Sequence, residues 1–293
     1  MSSEIQSKRA DMPTGPAVLH SELLADLGVP HGFSTRQGGC STGMFASLNF
    51  GNPGDLATDL RDPAQNIHEN WRRLTSAIAT TIPAGAPGLD RREIVEIHQI
   101  HGCEASIVRA GEPSTRVLGG HDVKADAIVT DDPGRLVAVR VADCTPVLLA
   151  SDDGRIVAAI HAGWRGVVGG VVFAAVRAMH AIGPKPIQLV AAIGPCIGPD
   201  AFEVGPEVAA EFRRVFGAAT GHVRGRPTGK SLVDLQSAIR EQLLLAGLAP
   251  NRVETLAHCT FGDPATFFSH RRDKGLTGRM AGIIGPRSHD PGL

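Results

Sequence analysis

The residues of this chain with the widest chemical reach lie in three short stretches: Gln99-Ile100-His101-Gly102, Ala142-Asp143-Cys144-Thr145-Pro146 and Ile160-His161-Ala162-Gly163-Trp164-Arg165-Gly166. His101 and Cys144 are 43 positions apart, and Cys144 and His161 are 17 apart. One thiolate and two imidazoles make a ligand set suited to zinc, and three protein ligands leave a fourth position open for water or substrate. The same Cys/His chemistry also accepts copper. Without a metal, Cys144 beside His161 reads as an activated nucleophile with its base, the arrangement of a Cys–His hydrolase. Asp143 is a candidate acceptor for a ligand imidazole or a general acid/base. It could equally be a turn carboxylate bound to backbone.

Other polar groups cluster near glycines. Arg165 follows a glycine-cornered turn leading into a helix. Its guanidinium could take a phosphate in a bidentate fork, and the helix start could add backbone N–H groups. The turn lacks the GxxxxGK[ST] pattern of a Walker loop. Ser34, Arg36 and Asn49, in Ser34-Thr35-Arg36 and Ser47-Leu48-Asn49-Phe50-Gly51, suit a sugar or phosphate or else simply form turns. The charged run Phe267-Phe268-Ser269-His270-Arg271-Arg272-Asp273 either closes over a substrate or forms a surface turn, and Cys196 and Cys259 are candidates for the same pocket wall.

The elements that must position these residues follow from periodicity. Glu93 to Ile100 alternates and reads as a strand that ends at His101. Arg135 to Val141 is a buried-type strand ending at Asp143-Cys144, and Pro146 to Ala150 continues it or pairs with it. Asp152-Asp153-Gly154 is a hairpin turn, after which Ile156 to Ile160 runs to His161. All three candidate ligands thus stand at strand ends, where a rigid element meets a loop free to bind. Further strands are expected at Ala127 to Thr130, Gln188 to Ile193 and near Val253 to Ala257. Helices are expected over His20 to Leu27, Asn66 to Ala79, Val167 to His180, Pro206 to Phe216 and Val233 to Ala246. Connectors fall at Thr81 to Arg91, Ala110 to Lys124 and Gly217 to Lys230. This interleaving with hairpins indicates an α+β fold, mixed β-sheets covered by helices. A single domain spans residues 17–287, with tails at 1–16 and 288–293.

Composition narrows the function classes. The chain has 293 residues, enough for a large core. A net charge of -1 argues against nucleic acid as a partner. No apolar run reaches the length of a membrane span, and the polar N-terminus lacks a secretory h-region. Five scattered cysteines without a CxxC pair fit a reduced, cytoplasmic protein. No stripe reads as an interface, so a monomer acting on a small molecule is expected.

Taken together and in order, these stretches closely resemble the YfiH-like family, labelled laccase-domain or polyphenol oxidase proteins and reassigned as purine nucleoside phosphorylases. The resemblance runs from about His31 to Ile284. It includes HGFSTRQGG, SLNFG, QIHG, DAIVTD, VADCTPVLLAS, IHAGWRG, AIGPCIGP with FEVGPEV, CTF, FFSHRRD and TGRMAGII. It implies a YfiH-like layered sandwich in which His101, Cys144 and His161 bind zinc. The implied activity is cleavage of adenosine, inosine or methylthioadenosine with phosphate, giving free base and ribose 1-phosphate, together with deamination of adenosine. Arg36, Arg165 and the amides of the Gly163–Gly166 turn are then phosphate candidates, and Asp143 or a metal-held water is the proton donor to the leaving purine. Two other activities attached to the family stay open: hydrolysis of peptidoglycan precursors by Cys144 and His161, and copper-dependent phenol oxidation. The sequence lacks the repeated His-x-His pairs that several copper ions would need.

Overall fold

The computed structural model describes residues 15–81, 88–112, 123–183 and 188–287. The expected tails, except residues 15 and 16, lie outside the described residues, as do 82–87 of the first connector and 113–122 of the second. The described elements in chain order are β1 (Val18–Leu19), α1 (Glu22–Asp26), β2 (His31–Ser34), α2 (Ala64–Thr81), β3 (Glu93–Val95), β4 (Ala105–Val108), β5 (Ala127–Thr130), β6 (Arg135–Val141) and β7 (Thr145–Ser151). They continue with β8 (Val157–Ala162), α3 (Trp164–Gly169), α4 (Val171–Ile182), β9 (Leu189–Ile193), β10 (Glu203–Val204), α5 (Pro206–Phe216), β11 (Val223–Gly225), β12 (Ser231–Val233), α6 (Leu235–Leu245), β13 (Val253–Thr255) and β14 (Met280–Ile284).

Two mixed sheets carry the molecule. One has the order β1-β2-β14-β6-β3, the other β13-β9-β7-β8-β5-β4, and a small third sheet is β10-β12-β11. Strand alternation explains how they stack. In β6, Val137 and Val139 share a buried cluster with Leu148 and Ala150 of β7 and Ala159 of β8, so these faces meet between the sheets. Leu136 and Ala138 point the other way, into a cluster with Trp71, Leu74 and Ile78 of α2. Val147, Leu149 and Ile160 likewise face away, toward α3 to α6. The result is a four-layer α+β sandwich in one domain: helix, sheet, sheet, helices. Strands buried on both faces read as near-continuous apolar runs, as β6 and β7 do.

Three expectations are corrected. The strand expected to end at His101 stops at Val95, and only an isolated bridge, His98 to Lys124, follows. The helix expected over Val167 to His180 is two helices broken at Gly170, whose φ of 83° no other residue type adopts easily. β7 does not continue β6: the chain leaves one sheet at Val141 and enters the other at Thr145. The expected hairpin is present, with β7 and β8 antiparallel and the Ser151 amide donating to the Ile156 carbonyl across the turn. Among the described residues no helix is long and apolar enough to cross a membrane.

Candidate functional site

The crossing from sheet to sheet at Ala142–Cys144 places a thiol where the two sheets part. Cys144 directly precedes Thr145, which pairs with Ala162 of β8, next to His161. His161 is buried inside β8, whereas His101 stands exposed on a bend with φ of 59°. One ligand atom from each of His101, Cys144 and His161 lies within 4.8 Å of the others, and this is the one such group of three found among the described residues. The two rings meet edge-on, 4.8 Å between centroids.

What orients the two histidines is Asp126, a residue that reading the candidate ligands in sequence did not single out. It sits just before β5 and is fully buried. Its Oδ1 accepts from His161 Nδ1 at 2.8 Å and from the His101 amide at 2.9 Å. Its Oδ2 accepts from the Gly102 amide at 2.6 Å and the Ile100 amide at 3.3 Å. One carboxylate therefore fixes the ring of one ligand and the backbone of the other. With Nδ1 engaged, His161 is left Nε2 to present. Burial opposes the Asp126 charge, but the His161 bond and charge and these amides hold its carboxyl below the usual range. The signal in the sequence was slight: an acidic residue opening the apolar strand of DAIVTD.

Asp143 does something else. Its φ of 86° turns the chain, and its oxygens accept from Thr260 Oγ1 and from the Arg271 amide, both at 2.6 Å. It is the backbone-bound turn carboxylate, and it draws the segment around Arg271 onto the site. That segment does reach the cleft, through His270, Arg271 and Arg279.

Electrostatics couple the thiol and the imidazoles. Burial resists ionisation of Cys144, yet the charge of His161 and hydrogen bonds from both imidazoles bring it down to about 6. For His161 burial acts downward, and the Cys144 thiolate and Asp126 raise it to about 9. Each group thus favours the charged form of the other, and a metal held by these atoms would displace the imidazole proton.

The donor chemistry fits a metal: one sulfur and two imidazole nitrogens, with an aspartate behind one of them as metal-binding histidines require. Gly163 supplies a further sign. Its φ of -76° suits any residue, but an added Cβ would come within 2.9 Å of Cys144 Sγ and 3.2 Å of His101 Cδ2. The side chain is missing because the ligands occupy its space.

His101, Cys144 and His161 open into a cleft of about 740 Å³. Five arginines line it (Arg61, Arg140, Arg165, Arg271 and Arg279), against two carboxylates, Glu96 and Asp143. Asp143 is engaged as described, and among the described residues only Arg140 has a carboxylate partner, Glu96. The cleft wall thus carries an excess of positive charge. Arg165 is exposed at its wall and stacks on Trp164, 4.5 Å from the ring centroid. Ser34, Arg36 and Asn49 are not on the wall. Ser34 Oγ accepts from the Ala281 amide inside the sheet. Asn49 is buried, donating to Asp62 and accepting from the Gly51 and Arg279 amides. Arg36 donates to the Ala46 and Pro264 carbonyls and covers Phe268. Cys196 and Cys259 pair with each other by an isolated bridge and do not line the cleft either.

Comparison with known proteins places this arrangement among relatives. A sequence model described as multi-copper polyphenol oxidoreductase laccase matches residues 30–287. A protein of Deinococcus radiodurans named purine nucleoside phosphorylase is 36% identical over 260 residues, covering 89% of this chain and 90% of its own. The crystal structure of YlmD from Geobacillus stearothermophilus matches with a TM-score of 0.77 at 32% identity, over 95% of this chain and 98% of that one. That of the hypothetical protein YfiH from Bacillus licheniformis gives 0.78 at 28% identity, over 93% and 97%.

Proposed function

The chain belongs to the multi-copper polyphenol oxidoreductase laccase family, and from that premise we propose that it cleaves purine nucleosides with phosphate, using zinc held by His101, Cys144 and His161. The kinship with YfiH-like proteins expected from the sequence is borne out. The relative's name points to nucleosides. The observation that carries the reading is the joining of this ligand set to a cleft whose arginines outnumber its carboxylates.

Phosphorolysis breaks the glycosidic C1′–N9 bond and joins C1′ to a phosphate oxygen, while the leaving base takes up a proton. Arg165, Arg271 and Arg279, without carboxylate partners among the described residues, are the groups to hold the phosphate. Guanidinium forks match its oxygens and retain their charge at every working pH. A volume near 740 Å³ accommodates a nucleoside with phosphate, since small-molecule clefts run from about 300 to 1,000 Å³. Asp143 is spent on Thr260 and Arg271, so its part is to position the arginine segment. Zinc, when bound, supplies a Lewis acid able to activate water near pH 7, the chemistry that deamination of adenosine at C6 would need.

A specific observation favours one second reading. Asp126, His161 and Cys144 form a carboxylate–imidazole–thiolate relay, the geometry of a cysteine hydrolase. Phenol oxidation by several coppers has less support, because the described residues gather one candidate ligand group, not several.

Cys144→Ala and His161→Ala test the proposal together. Each should lose bound zinc and phosphate-dependent nucleoside cleavage in parallel. Full activity in either variant would end the zinc reading, and activity that survives chelation in the parent protein would move the hydrolase to the front.

A further inference from the structure

One acidic group in the cleft serves neither the metal nor a phosphate. Glu96 lies one residue beyond β3, lines the cleft and has a side chain only 4% exposed. Its Oε1 makes no hydrogen bond, although Arg140 Nε stands 3.0 Å away as its ion partner. Arg140 lines the same cleft. Its backbone is clamped by Gln99, whose Oε1 accepts from the Arg140 amide and whose Nε2 donates to the Arg140 carbonyl, both at 2.8 Å. The parallel pairing of β3 with β6 ends at Val95 and Val137, just before Glu96 on one side and three residues before Arg140 on the other. A carboxylate and a guanidinium are therefore paired on the cleft wall, largely dry, with Oε1 turned to Arg140 and closed to solvent.

We propose that Glu96 and Arg140 read the six-position edge of the base and make this chain selective for 6-oxopurine nucleosides over adenosine. The inference rests on the nucleoside reading above. A 6-oxopurine such as hypoxanthine offers an N1–H donor beside a C6=O acceptor. Glu96 accepts from the first and Arg140 donates to the second. Adenine reverses both, placing the bare N1 against the carboxylate and the amino group against the guanidinium. A ribose diol would engage the carboxylate but leave the guanidinium idle, so the pair matches a base edge better than a sugar. Sites built to hydrogen-bond a substrate group discriminate strongly against analogues that cannot answer.

The test compares kcat/KM for inosine and adenosine at saturating phosphate in the parent protein, Glu96→Gln and Arg140→Lys. The parent should favour inosine by about tenfold or more. Glu96→Gln keeps the size but can donate to N1, so the ratio should fall at least about tenfold with the KM for phosphate unchanged. Arg140→Lys keeps the charge but loses the fork, and should lower the same ratio even if Glu96→Gln does not fold. No preference in the parent, or an unchanged ratio in the variants, overturns the proposal. An equal loss for both nucleosides also overturns it and assigns Glu96 to the ribose. If the parent cleaves neither nucleoside, the proposed function fails, and calorimetric titration with hypoxanthine and adenine decides separately. Selective hypoxanthine binding that Glu96→Gln abolishes supports the base-reading pair; equal or absent binding of the two bases refutes it.

Discussion

Four backbone or ring N–H groups converge on the single carboxylate of Asp126, and this makes it the residue on which the candidate centre depends most. Asp126→Asn keeps one acceptor oxygen but turns an amide NH2 toward donors. Zinc affinity should drop about 10- to 100-fold, the usual cost of losing an orienting partner, and stability by about 1–3 kcal/mol for the unmatched donors. Zinc titration checks the first, and an unchanged affinity would show that Asp126 does not act on the metal. The candidate ligands were legible because each sat within two residues of glycine or aspartate in a short distinctive stretch. Asp126 was not, because nothing in a lone aspartate before a strand tells which amides will fold back onto it. A second buried residue gives a pH signature unconnected with the site. His31 Nδ1 donates to the Val29 carbonyl, and its Nε2 accepts from the Ser21 amide; burial pushes it down to about 4 from 6.5. Between those values the unfolded chain binds a proton that the folded one refuses, so stability is full above pH 6.5 and falls as pH drops toward 4. At about 1.4 kcal/mol per unit, the loss is about 3 kcal/mol. Urea unfolding from pH 7 to 4 should show this in the parent and a clearly smaller loss in His31→Gln; equal losses would contradict it.

Elements bring the residues together in ways that periodicity only partly foretells. The apolar runs of β6, β7 and β8 were clear, and so was the hairpin turn between the last two. That β6 and β7 belong to different sheets was not, because a strand buried on both faces carries no mark of which sheet it joins. The crossing itself makes the site, since it leaves Cys144 beside the end of β8. The stretch before His101 looked like strand to Ile100, but past Val95, among the described residues, only the His98 amide reaches a strand-like partner, the Val123 carbonyl, and the Ile100 amide turns to Asp126. The long helix after Trp164 breaks at Gly170, so Arg165 sits on a helix of only six residues. At the same turn Gly163→Ala should fold normally, because its φ and ψ suit alanine, yet weaken zinc binding at least about tenfold by crowding Cys144 and His101, as close overpacking costs about 1–3 kcal/mol. Unaltered zinc affinity with an unaltered circular dichroism spectrum would mean that the ligands yield and that the glycine is not there for the metal.

At the scale of the whole molecule, the strand pattern indicated mixed sheets covered by helices, and the family resemblance implied the layered sandwich that the structure has, with its central core between two sheets. The cleft was not legible. Its arginines come from positions 61 to 279, and a net charge of -1 hides a local cationic concentration behind acidic groups elsewhere. Ser34, Arg36 and Asn49 looked like ligand-binding residues for the same reason that they build the fold: short polar side chains and an arginine beside glycines also satisfy loop backbone. The account therefore turns on whether that cationic cleft and the His–Cys–His centre together perform phosphorolysis. The direct measurement is to incubate the zinc-loaded protein with inosine, with and without phosphate, and to separate the products. Hypoxanthine and ribose 1-phosphate in equal amounts, formed only when phosphate is present, are the predicted result. Free ribose formed without phosphate, or no cleavage in either condition, would contradict it.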